Sequence, residues 1–108
     1  MKFYISLPDP NAARGAKSQL SFSAHGAETF AEQLRHALSD PAYIQSWLAG
    51  LDEDDAANVD PQLLAIDSNA KVSGAQHDLS FSVVAVSLKK KAAFKHRMRL
   101  LAGSQWQL

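Results

Sequence analysis

The chain has no cysteine. That removes disulfides, thiolate zinc sites and cysteine nucleophiles together. It fits a reducing compartment, and the cytoplasm is the expected location. No apolar run approaches the roughly 18 residues of a membrane span. The opening MKFYISLPDP carries one lysine and too short an apolar run for a secretory leader. A membrane is therefore not expected as a partner. Glycine is sparse, five of 108 residues, and forms no nucleotide loop. Lys17-Ser18 could end a phosphate-binding loop, but Asn11 and Ala16 stand where that loop needs glycines. There is no serine elbow motif and no histidine pair at helical metal-ligand spacing. We expect no catalytic residues, no metal, no cofactor and no enzyme activity.

The remaining titratable groups have ordinary explanations. His77 precedes Asp78, but adjacent strand residues point to opposite faces, so the pair makes a poor oriented base. His96 falls between Phe94 and Met98 and reads as a core or interface histidine. His25 and His36 sit at element ends. Asp52 to Asp60 holds five acids and no cation, which raises a calcium loop. Such a loop starting at Asp52 needs glycine at Ala57 and glutamate at Leu63. Both fail, leaving an acidic loop or a frayed helix start.

A formal net charge of zero conceals an uneven distribution. Residues 1–78 hold all eleven acids against five Lys/Arg, a balance of −6. Residues 79–108 hold six Lys/Arg and no acid, a balance of +6. Such a molecule can dock on itself, on a copy, or with its basic end on a polyanion.

The length predicts a single domain over 1–108 with enough chain to bury a core. Residues 1–7 alternate, with Phe3, Ile5 and Leu7 inward, and predict a strand. Pro8-Asp9-Pro10-Asn11 ends it. Residues 19–25 alternate again and predict a second strand. After Gly26 the period changes. Phe30, Ala31, Leu34, Ala37 and Leu38 share one helical face. Asp40-Pro41 then caps a second helix bearing Ile44, Trp47, Leu48 and Leu51, with Gly50 as its stop. Residues 62–67 lean to strand, with a helical turn as the alternative.

Residues 79–108 read as a long β-hairpin with Lys89, Lys90 and Lys91 at its tip. The inward set runs Leu79, Phe81, Val83, then Val84, Val86, Leu88. That slip of phase predicts a β-bulge at Val83-Val84. On the return strand Phe94, His96, Met98 and Leu100 alternate with Lys95, Arg97 and Arg99. Gly103-Ser104 makes a turn, and 105–108 forms a last strand.

Leu101-Ala102-Gly103-Ser104-Gln105-Trp106 resembles the second motif of Sm-like proteins. Leu101, Gly103, Ser104 and Trp106 fit, while Ala102 stands in place of the usual arginine and Gln105 in place of the asparagine. The bent Leu79 to Leu88 strand is similar to the central strand of that fold. The resemblance implies a small barrel, although no first Sm motif with its RNA-contacting residues is present. The expected class is α+β: a strongly bent antiparallel sheet, or a small Sm-like or SH3-like barrel of five to six strands, with two short helices packed on it.

Function follows from the basic hairpin and the last strand. We expect a non-enzymatic interaction module that self-associates as a dimer through its C-terminal edge strand, with Trp106 and Leu108 at the interface. A protein partner is the broader expectation. The alternative is Sm-like nucleic-acid binding through residues 89–99, with Lys89, Lys90, Lys91, Lys95, Arg97 and Arg99 on phosphates. The same cations would also suit a lysine-blunted sheet edge.

Overall fold

The computed structural model describes residues 2–10, 13, 15, 20–22, 26–77, 80–87 and 91–108. The elements run β1 (Lys2–Leu7), α1 (Ala27–Ser39), α2 (Pro41–Ala49), α3 (Glu53–Ala57), α4 (Pro61–Leu64), β2 (Lys71–His77), β3 (Ser80–Val86) and α5 (Lys91–Ala102). The three strands make one antiparallel sheet in the order β1-β3-β2. The class is α+β. The sheet is open, with three strands among the described residues rather than the five or six of a barrel.

The sheet has one covered face. Phe3, Ile5 and Leu7 of β1 and Phe81, Val83 and Ala85 of β3 are buried. Phe30, Leu34 and Leu38 of α1 and Phe94, Met98 and Leu101 of α5 complete the same core cluster. The Phe3 and Phe94 rings stack at 4.1 Å between centroids and 4° between planes. The Phe22 ring meets Phe30 edge-on at 4.8 Å. Each such ring withdrawn from water stabilises the fold by roughly 1.5–3 kcal/mol. On the other face Tyr4 and Val86 are 63% and 43% exposed. Lys2, Lys71, Ser73, Ala75 and Ser82 are exposed beside them.

Helices α1 and α2 form where the period and caps place them. Asp40 accepts from the Ala42 N–H at 2.9 Å, and Pro41 occupies the first turn. Helix α1 lies close on β2. A Cβ on Gly74 would run into the Ala27 carbonyl, so only glycine allows that approach.

Five expectations are corrected. First, 92–100 is not a return strand; it lies inside α5. Phe94, Arg97, Met98 and Leu101 are all buried, at the i, i+3, i+4, i+7 spacing of a helix face. An arginine on that inner face disguised the period. Second, β3 has no bulge. Its register with β1 and β2 is continuous through Val83 and Val84. Val83 faces the core, while Val84 and Val86 face the bare side, so both phases carry valine without a slip. Third, residues 20–22 form no strand. Leu20 and Phe22 are buried, and the Phe22 N–H donates to the Leu101 carbonyl at 2.9 Å. Gln19 and residues 23–25 lie outside the described residues. Fourth, 61–64 is the helical turn α4, because Pro61 pre-sets its first turn and Asp60 accepts from the Gln62 N–H at 3.0 Å. Fifth, 105–108 contributes only an isolated bridge between Gln107 and Ser6. The acidic segment contains the short, exposed α3.

Candidate functional site

Helix α5 sorts its cations to opposite sides. Arg97 is fully buried. Its guanidinium donates to the carbonyls of Ala37 at 2.8 Å, Leu63 at 2.6 Å and Ala65 at 2.9 Å. Those three oxygens lie at the end of α1 and around α4. One side chain therefore gathers carbonyls from two helix ends, where backbone acceptors face outward. Burial lowers the Arg97 pKa to about 10, partly offset by the nearby Tyr43. Burial also pushes the Tyr43 phenol upward. Tyr43 donates its hydroxyl proton to the Leu20 carbonyl at 2.6 Å. Arg97 is thus withdrawn from the polyanion surface to which the alternating pattern assigns it.

Three other predicted cations come together. Lys91, Lys95 and Arg99 follow one another at i, i+4 and i+8, which aligns them along one side of the helix. With Gly103, Ser104, Trp106, Gln107 and Leu108 they line an open groove of about 640 Å³. Among the described residues no Asp or Glu side chain lines it. Lys89 and Lys90 lie outside the described residues.

The C-terminal wall has its own cause. Gly103 has φ 66°, the left-handed conformation that ends helices, and its N–H donates to the Arg99 carbonyl at 3.0 Å. The chain reverses there. Trp106 is half-buried against the core, and its indole N–H donates to the Gly103 carbonyl at 2.7 Å. Gln107 then reaches β1, and Leu108 is 45% exposed. The residues that resemble the Sm-like motif, 101–106, thus run from the last turn of α5 into this wall.

The groove is an electrostatic cost to the helix. Like charges at i, i+4 cost about 0.2–0.5 kcal/mol per pair. Lys91, in the first turn, also opposes the helix dipole. Only Arg99, in the last turn, is placed where the dipole favours it. Charge interactions within the helix favour Arg99 but not Lys91.

The remaining candidates do not converge. His36 Nδ1 lies 4.0 Å from Asp40 Oδ2 on the surface, His77 is exposed, and His96 meets the edge of Trp47 at 4.5 Å. Among the described residues no three His, Asp or Glu gather as a metal site. Among them, too, no helix is long and apolar enough to cross a membrane. Asp67 is buried and works structurally, accepting from the Asn69 N–H at 3.0 Å and the Ser87 hydroxyl at 3.1 Å.

Comparison with protein-family models, curated proteins and solved structures finds no match.

Proposed function

We propose that the chain is a non-catalytic interaction module that binds an acidic protein segment in the groove between α5 and residues 103–108. The observation that supports this reading is the alignment of Lys91, Lys95 and Arg99 along a groove that no Asp or Glu side chain lines among the described residues. Lys91 and the like-charge spacing of the row run against the helix's own electrostatic preference, as a binding surface allows. Polypeptide is favoured over nucleic acid because a sheet edge adjoins the groove. Lys91 and Leu108 line both the groove and a second cavity with Lys2, Phe3 and Tyr4 of β1.

Nucleic acid is the second reading, carried by the same three cations. Charge neutralisation at three phosphates gives a log–log salt slope of about −2 to −3. Trp106 offers no open stacking platform, because it is half-buried with its indole N–H engaged.

Trp106 lies in the groove and is one of two tryptophans. A Trp47→Phe variant makes its fluorescence a reporter of occupancy. Titration with a short glutamate-rich peptide is expected to shift that emission at low salt, and a single-stranded oligonucleotide to do so more weakly. A signal from the oligonucleotide alone would replace the protein reading with the nucleic-acid one. Silence with both would remove the groove from consideration.

A further inference from the structure

We propose that the acidic partner binds as an added β-strand on the open edge of β1, paired with the backbone of Lys2 and Tyr4. This rests on the reading of the α5 groove as the site of an acidic protein segment.

The direction of the free backbone groups is set by one contact. Ser6 donates its N–H to the Gln107 carbonyl and accepts from the Gln107 N–H, both at 2.8 Å. Both backbone groups of Ser6 therefore face away from β3. On a regular strand, alternate residues turn their backbone groups the same way. Tyr4 and Lys2, opposite Val84 and Val86, consequently aim their N–H and C=O at the same edge. Among the described residues nothing occupies them. The chain already pairs Gln107 with this edge at Ser6, so the edge accepts strand-like pairing there, and the pocket beside Lys2 and Tyr4 leaves room next to it.

The chemistry around the gap selects the occupant. Lys2, Phe3, Tyr4, Lys91 and Leu108 line an open pocket of about 330 Å³ there, with two cations and, among the described residues, no Asp or Glu side chain. Across Leu108 it continues into the groove of Lys95 and Arg99. An extended segment thus finds main-chain partners on β1, apolar contact at Tyr4 and Leu108, and cations for its carboxylates. A second copy is the poorer occupant. Strand β1 carries a cation, Lys2, and no acid, so an antiparallel mate would offer no carboxylate to the basic groove.

The test uses the full chain with a peptide alternating glutamate and valine. A second peptide of the same sequence carries N-methyl groups on alternate amides, which keeps every charge and removes the edge donors. Binding is read by Trp106 fluorescence in the Trp47→Phe variant and by amide hydrogen exchange at Tyr4. The expected result is about tenfold weaker binding of the methylated peptide, with the Tyr4 amide slowed only by the unmethylated one. Equal binding of both peptides without protection at Tyr4 would overturn strand addition and leave the groove reading in place. Binding of an oligonucleotide but neither peptide would overturn the partner class. No binding of any probe would overturn both. A dimer by light scattering, with Tyr4 protected before peptide is added, would assign the edge to a second copy and overturn the proposal. Tyr4→Pro gives an independent variant, since proline is tolerated on strand edges whose N–H faces solvent. It too should weaken the unmethylated peptide about tenfold.

Discussion

Arg97 and Arg99 are two residues apart on one helix and have opposite fates. Arg97 is fully buried and holds three carbonyls of neighbouring elements. Arg99 is exposed and lines a groove with Lys91 and Lys95. The difference separates two uses of positive charge. The inner arginine ties elements together, because its fork reaches carbonyls at the end of α1 and around α4. The outer cations add nothing to the packing of the core and set up a mutually repelling row.

The comparison predicts unequal losses. Arg97→Met removes the donor from the buried Ala37 contact and the part-buried Leu63 and Ala65 contacts, at about 1–3 kcal/mol for the buried group and less for the other two. A loss of about 2–4 kcal/mol in urea unfolding is expected. A loss below about 1 kcal/mol would break the contrast. Arg97→Lys should recover part of it, because an ammonium cannot reproduce the fork. Gly74→Ala tests the other seam, where α1 lies on β2. The added methyl would meet the Ala27 carbonyl, and about 1–3 kcal/mol is expected from overpacking. Lys91→Gln, Lys95→Gln and Arg99→Gln should each shift stability by no more than about 0.5 kcal/mol. The direction should be upward for Lys91→Gln, which relieves both a like-charge pair and the dipole.

The smallest effect is that of pH. Burial depresses the Arg97 pKa to about 10. Below that value the guanidinium is charged in folded and unfolded chains alike, so its burial cost is constant. Only above about pH 10 does the unfolded state hold more protons, and there stability gains a rising contribution with pH. Between about pH 6 and 9 the urea midpoints of the parent and Arg97→Met should therefore stay a fixed distance apart. A separation that changes between about pH 8 and 9, above the histidine range, would mean that Arg97 titrates there.

Much of the first half of the chain was legible. The alternation of Phe3, Ile5 and Leu7 marked β1, and Asp40-Pro41 marked the start of α2, because both rest on local chemistry. The hairpin from 79 onward was misread for a specific reason. Lys95, Arg97 and Arg99 alternate with Phe94, His96 and Met98, which fits a half-exposed strand if every cation faces water. Arg97 does not, since backbone carbonyls from distant residues receive it. Those partners, Ala37, Leu63 and Ala65, are 60, 34 and 32 residues away, so no local pattern contains them. A signal was present: Ala92, Ala93, Leu100, Leu101 and Ala102 are strong helix formers. The candidate site was half legible. The basic segment was evident, but its spacing became i, i+4 and i+8 once the helix replaced the strand. Lys95 and Arg99 stayed in the set, and Arg97 left it.

The division between inner and outer cations is tested most directly by one affinity. A variant with Lys91, Lys95 and Arg99 all changed to glutamine should bind the alternating glutamate–valine peptide on the order of tenfold more weakly than the parent, each lost charged contact counting for about 0.2–1 kcal/mol. It should do so with an undiminished urea midpoint. Unchanged affinity in a fully folded variant would show that the aligned cations of α5 are not a binding surface.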